Sequence, residues 1–279
     1  MTVTFYFIRH GQSVDNCKTT IWAGWKDSPL TNHGPQQAEA LGAAFASTPL
    51  TAIYASPLKR AHSTALGLHA AQPSPKPEII ITPDLREQGF GVAEGKTHVS
   101  HGAMDLKQGI FPIIRGRTDK FPEGESRDDV RQRGARVLSE YLMPHILAAR
   151  GHTPDTLPHR VAVVSHGICI AELLGAILYR VPSSERREYW FGGVQNTGWH
   201  CLEVGLLDEQ PGVHNGPEVS LHDAPLKVLV RDINNHTHLT GLPKAPGGLG
   251  SVAHDPAQAK ITAYLSGNTT AIDEDTNTP

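Results

Sequence analysis

The sequence predicts an α/β fold: a three-layer sandwich with a mostly parallel central sheet, helices on both faces, and a loop-rich insertion over the sheet edge. Three observations predict it. Short β-branched runs alternate with helix-period segments along the first two hundred residues. The run Val161–Ser165 is continuously apolar, as a strand covered on both faces should be. The connections between runs are long enough for crossovers rather than hairpins.

Taken in order, Thr2–Ile8 is rich in β-branched and aromatic residues and breaks at Arg9-His10-Gly11, which reads as the first strand. Asn32 is placed to cap a helix over Gly34–Ala46, with Ala38, Leu41, Ala44 and Phe45 on one face. Thr51–Tyr54 reads as a second strand, Leu58–Ala71 as a second helix and Ile79–Thr82 as a third strand, after the proline-dense connection Pro73–Pro77. Residues 88–125 are glycine-rich with no long period, the expected insertion or cap over the site. Ser126–Arg150 reads as one long helix that Pro144 should kink or end. Val161–Ser165 is followed by a helix over Gly167–Tyr179, then by strands at Gly198–Val204 and Leu226–Val230. The expected catalytic domain is 1–232, and 233–279 is expected to be an extended, partly disordered tail.

Composition excludes several classes. The 279 residues are 39% hydrophobic and 19% charged, a globular balance that can bury a core without staples. Net charge is −3, with two lysines against five acids from Asp232 onward, so the preceding residues are neutral overall. A chain without basic excess is not expected to bind nucleic acid directly. Cys17, Cys169 and Cys201 are too few and too scattered for a disulfide framework. No stretch approaches the roughly 20 apolar residues that span a bilayer, so no membrane association is expected. Met1–Phe5 lacks the marks of a signal peptide, which points to the cytoplasm, with the nucleus as a second compartment.

Two tripeptides carry chemistry because of where they sit. Arg9-His10-Gly11 and Ser165-His166-Gly167 each close a strand, and in open α/β sheets functional groups gather at the carboxyl ends of strands. The two imidazoles can therefore face each other. The helix that opens at Gly167 turns its free amides toward the same place, favouring an anion. Ser56-Pro57-Leu58-Lys59-Arg60-Ala61 brings Arg60 to that edge, and Leu85-Arg86-Glu87 brings a carboxylate. Arg9 and Arg60 supply forked donors that suit phosphate oxygens. Together these are the parts for phosphoryl transfer through a histidine nucleophile, with cations on the phosphoryl oxygens and an acid for the leaving group. Glu94 offers a second acid in the same loop. Trp22 and Trp25 are candidates for the pocket mouth, and Arg115, Arg117 and Lys120 for an anionic substrate tail.

In these motifs the chain resembles the histidine phosphatase superfamily, in its phosphoglycerate-mutase-like branch. The resemblance is carried by Arg9-His10-Gly11-Gln12-Ser13 with Asn16, and by Asp27-Ser28-Pro29-Leu30-Thr31 with Gly34, Gln37 and Ala38. It continues through the Ser56–Ala61 and Leu85–Glu87 segments, Pro122-Glu123-Gly124-Glu125-Ser126, and Ser165-His166-Gly167, all in the family's order. It implies that His10 is the phosphorylated nucleophile, that Glu87 is the proton donor, and that His166 shares the catalytic centre. It further implies a phosphate pocket of Arg9, Arg60, Asn16 and Gly167, with no metal and no cofactor.

Ser13-Val14-Asp15-Asn16 lacks the tryptophan that mutases carry before the asparagine, and the segment after Glu87 departs from the mutase pattern. The expected activity is therefore hydrolysis of a small phosphate monoester or related phosphorylated compound, a phosphoric ester hydrolase. The alternatives are a phosphoglycerate-type mutase and an assembly subunit resembling one in fungal transcription factor IIIC, with the tail binding a protein partner. Within the tail, Gln258, Ile261, Tyr264 and Leu265 faintly resemble a sliding-clamp-binding box.

Overall fold

The computed structural model describes residues 2–18, 20–100, 102–151, 158–207, 224–242 and 251–255. Six strands form the central sheet: β1 (Val3–Arg9), β2 (Ala52–Ala55), β3 (Glu78–Ile81), β6 (Arg160–Ser165), β7 (Trp199–Leu206) and β8 (Leu226–Asn235). Their spatial order is β3-β2-β6-β1-β7-β8. The first four are mutually parallel, β7 runs antiparallel to β1, and β8 runs antiparallel to β7. The mostly parallel α/β architecture expected from the sequence is thus present.

Alternation along the central strands explains why both faces are apolar. Val3, Phe5, Phe7, Val161 and Val163 enter one core, which helices α3 (Arg127–Val137), α4 (Met143–Ala148) and α5 (Gly167–Tyr179) cover. Ile8, Ile53, Ala55, Ala162 and Val164 enter the other, under α1 (His33–Phe45) and α2 (Lys59–Ala70). The three largest β1 side chains in these cores, Phe5, Phe7 and Ile8, are fully buried.

The long helix expected over 126–150 is divided differently from the expectation. Ser126 caps α3 reciprocally with Asp129, and a π-helical turn, Leu138–Leu142, joins it to α4. Pro144 sits in the first turn of α4. A proline ring clashes with the carbonyl four residues back, and the wider π turn removes that clash without ending the helix.

Residues 88–125 hold two very short strands, β4 (His98–Val99) and β5 (Phe111–Pro112), paired parallel. Phe90, Ala93, Phe111 and Phe121 make a small core of their own, with Trp22 packed against it. β8 runs on to Asn235, five residues beyond the strand expected from sequence. Across the pair, Arg231 of β8 meets Glu203 of β7 at 2.8 Å. Residues 252–254 return to the domain: Val252 accepts from the Asn32 amide and the His254 amide donates to Leu30, both at 2.9 Å, with Ala253 bridged to Thr31. The clamp-like pattern at Gln258, Ile261, Tyr264 and Leu265 lies outside the described residues.

Helices α3 and α5 approach closely because Gly134 faces Leu173. A Cβ at Gly134 would stand 2.9 Å from the Leu173 Cα. Helix propensity alone favours Gly134→Ala by about 1 kcal/mol. The backbone clash is expected to reverse that sign, destabilising by about 1–3 kcal/mol in a denaturant melt; an unchanged or raised stability would contradict the close approach. Truncation after Leu242 removes the partners of Leu30 and Asn32. It should accelerate hydrogen exchange at the Asn32 amide and cost about 1–2 kcal/mol, and unaltered exchange there would contradict the docking of 252–254.

Candidate active site

Neighbouring parallel strands bring the two histidines together. In the β1–β6 register Arg9 pairs with Ser165, and the His10 amide donates to the Ser165 carbonyl at 3.0 Å. His10 and His166 therefore leave the sheet side by side, with ring centroids 5.0 Å apart. Both are buried.

The tautomer of His10 follows from its partner. Its Nδ1 lies 2.7 Å from the Gly11 carbonyl, which can only accept, so Nδ1 carries the proton and Nε2 keeps its lone pair. Gly11 is itself fixed: its amide donates to Thr64 Oγ1 at 2.9 Å, and that hydroxyl donates to the Arg60 carbonyl at 2.7 Å. A Cβ on Gly11 would meet the Gly34 carbonyl at 3.0 Å, so this position has little room for a side chain. His166 Nε2 lies 2.8 Å from Ser56 Oγ, while its Nδ1 is buried without a partner among the described residues. The Ser56 hydroxyl can donate or accept, so it supports His166 in either charge state.

Two arginines surround this pair. Arg60 is 2% exposed and donates to the Lys26 and Gly24 carbonyls, both at 2.8 Å. Arg9 donates from Nη1 to the Val194 carbonyl at 2.7 Å, and its buried Nε has no partner among the described residues. Neither guanidinium is engaged by a carboxylate in a salt bridge within the described residues. Burial, and next the Arg60 charge, hold both imidazoles well below the ordinary histidine range. Burial likewise lowers the pKa of both arginines, against the opposing field of Glu87. Four donor groups are thus desolvated around one place, and no carboxylate forms a salt bridge with any of them within the described residues.

Glu87 stands at the amino end of α5. Its carboxylate accepts from the amides of Gln88 (3.0 Å), Cys169 (3.1 Å) and Ile168 (3.3 Å). Glu94 is tied elsewhere, accepting from the Trp25 amide at 2.8 Å and the Phe90 amide at 3.1 Å. The choice between the two acids, open from sequence, is thereby narrowed: Glu87 is the one whose field reaches both Arg9 and Arg60. Gly167 has nothing within 4 Å of where a Cβ would stand, so open space adjoins the start of α5. Asn16 holds the far side of the cluster, its Oδ1 accepting from Ser13 N at 3.1 Å and Asn196 Nδ2 at 3.0 Å.

Several supporting groups are not legible in the motifs. Asn196 also donates to the His10 carbonyl at 2.9 Å, and the Thr197 amide donates to the Arg9 carbonyl at 3.0 Å. The signal was an Asn-Thr-Gly turn before a strand, with Thr197 in the left-handed region at φ 56°. Trp25 Nε1 donates to the Glu87 carbonyl at 2.7 Å and its ring lies under the Arg86 guanidinium, whereas Trp22 packs on Phe90 and Phe121. Of the three basic residues considered for a substrate tail, Arg117 pairs with Asp128 and Glu172 and Lys120 with Asp129, and Arg115 is exposed.

A family profile described as histidine phosphatase superfamily (branch 1) matches residues 5–208. A 2,3-bisphosphoglycerate-dependent phosphoglycerate mutase of Bartonella henselae is 33% identical over 182 residues, covering 63% of this chain and 82% of the relative. The fructose-2,6-bisphosphatase TIGAR B of Danio rerio is 29% identical over 228 residues, covering 71% and 85%. A mycobacterial glucosyl-3-phosphoglycerate phosphatase structure superposes with TM-score 0.60 at 23% identity, covering 84% of this chain and 100% of its own, which shows a shared fold.

The lowered imidazoles set a pH dependence. Unfolded histidines titrate near pH 6.5 and these bind protons only at lower pH, so the stability of the neutral folded state is present above 6.5 and is lost as pH falls below it. Sulfate, a dianion throughout that range, should restore the charged form. Its increment to the melting temperature is expected to be larger at pH 5.5 than at pH 8; an equal or smaller increment at pH 5.5 would contradict anion binding between the imidazoles.

Proposed function

The chain belongs to the histidine phosphatase superfamily, branch 1, and we propose that it acts there as a phosphatase on a small phosphate monoester, through a phosphohistidine on His10. One observation carries the reading. The Nδ1–H bond to Gly11 at 2.7 Å leaves the His10 Nε2 lone pair free beside His166, Arg9 and Arg60. A nucleophile and an anion cradle in one buried place are the parts of covalent phosphoryl transfer.

In the first step His10 Nε2 attacks phosphorus in line and the ester P–O bond breaks. Arg9, Arg60, His166 and the amide nitrogens at the start of α5 take up the charge on the equatorial oxygens, which they are already desolvated to do. Asn16 adds its Nδ2 to the same oxygens. Glu87, as the general acid, gives a proton to the departing alkoxide, so the alcohol leaves neutral. In the second step the Glu87 carboxylate takes a proton from water, the hydroxide forms the new P–O bond, and the P–N bond breaks. Orthophosphate leaves and His10 regains its lone pair.

Hydrolysis rather than mutase chemistry is favoured by the state of the basic residues in 88–125. A mutase must hold an acid next to the phosphohistidine and hand the phosphoryl group back to it. Arg117 and Lys120, which could supply such a clamp, are spent on Glu172, Asp128 and Asp129. The TIGAR B relative and the mycobacterial structural neighbour are both named phosphatases, while the Bartonella relative is named a mutase.

Purified protein assayed on a panel of phosphate esters should release orthophosphate, and His10→Ala should lose on the order of 10⁴-fold or more. Labelled phosphoryl should be trapped on His10 as an acid-labile, base-stable adduct. Release that survives in His10→Ala would contradict the nucleophile. Transfer of label to a phosphoacid in place of water would make the protein a mutase.

A further inference from the structure

We propose that Arg133 is a positioning residue that sets Glu87 from behind, and so controls proton delivery to the leaving group; this rests on Glu87 acting as the acid. Arg133 lies on α3 and is 5% exposed. All five of its N–H groups are used. Nε and Nη2 clasp the Glu125 carboxylate at 2.8 Å each. Nη1 donates to the carbonyls of Asp84 (2.6 Å) and Arg86 (3.1 Å), and Nη2 donates to the carbonyl of Glu87 itself (3.1 Å). Three carbonyls from four consecutive residues therefore converge on one guanidinium.

The segment they belong to has little order of its own. Beyond the short turn Pro83–Leu85, residues 86–90 form neither helix nor strand. Their path is imposed by what binds them, and Glu125 extends the same clasp. Its Oε2 accepts from the Gly89 amide at 2.9 Å, its amide donates to the Gly89 carbonyl at 2.7 Å, and its carbonyl accepts from Gln88 Nε2 at 2.7 Å. Both sides of Glu87 are thus fixed by the Arg133–Glu125 pair.

The front of the same residue meets the other rigid reference. The Glu87 carboxylate rests on the amides of Ile168 and Cys169, at the start of the helix that follows His166. Helix α5 packs on α3 at the Gly134–Leu173 contact, one residue from Arg133. Arg133 therefore links the acid's backbone to the helix pair that also sets His166. Lysine cannot replace it: an ammonium has three donors and no planar fork, against five bonds made here.

The test separates proton delivery from general loss. An aryl ester such as p-nitrophenyl phosphate has a leaving group that departs without a proton, whereas an alkyl ester such as glycerol phosphate needs one. kcat/KM, which reports the first transfer, is measured on both for the wild type, Glu87→Gln, Arg133→Lys and Glu125→Gln. Glu87→Gln is expected to lose on the order of 10²-fold or more on the alkyl ester and much less on the aryl ester. Arg133→Lys should show the same asymmetry in milder form, about tenfold on the alkyl ester and threefold or less on the aryl one. If Arg133→Lys fails to fold, Glu125→Gln, which keeps shape but loses the charge, decides by the same ratio.

An alkyl-specific loss in Glu87→Gln together with equal losses on both esters in the folded variants at 133 and 125 would keep the acid and overturn the positioning role. A wild type inactive on both esters, or a Glu87→Gln variant with equal losses, would overturn the underlying reading and this inference with it.

Discussion

The parallel pairing of β1 with β6 is the constraint on which the site depends. It fixes Arg9 opposite Ser165 and joins the His10 amide to the Ser165 carbonyl. Two residues separated by more than 150 positions then emerge at adjacent strand ends, and the side chains need only short turns to face each other. The apolar cores on the two faces of the sheet hold that register, since a shift of β1 by one residue would turn Phe5 and Phe7 out of their own core and into the one that takes Ile8.

Electrostatics gives the arrangement its direction. Burying two guanidinium groups and two imidazoles beside one another is unfavourable unless something anionic shares the space. The imidazoles respond by staying neutral and the arginines by donating to the carbonyls of Gly24, Lys26 and Val194. Carbonyl partners neutralise no charge, so the pocket remains short of negative charge. In the proposed reaction a tetrahedral dianion supplies it. The same deficit stabilises a phosphoryl group in transfer, so recognition and catalysis draw on one feature.

Most of the strand and helix order was legible because each element carries its own period and its own breaker. The helix Gly167–Tyr179 has the bounds read from sequence, since Gly167 opens it and the apolar run ends at Tyr179. His10 and His166 were legible as residues that follow strand ends, and Arg60 and Glu87 through the motifs that come after β2 and β3. What escaped depends on distant pairing. Arg231 and Asp232 are unremarkable as strand residues until Glu203 lies across from Arg231. The role of Arg133 escaped because the carbonyls of Asp84, Arg86 and Glu87 that it binds lie more than 40 positions away, and the Asn196 turn shows no tie to His10, 186 positions away. The π turn before Pro144 was hidden because a proline signals a conflict without saying how the backbone resolves it.

The most direct measurement is a crystal structure of the protein with orthovanadate, which adopts the geometry of a phosphoryl group in transfer. The account predicts vanadium bonded to His10 Nε2, with Arg9, Arg60 and the Nδ1 of His166 on its equatorial oxygens and Glu87 at the apical oxygen opposite His10. Vanadate bonded through Nδ1, or seated away from the two imidazoles, would contradict it.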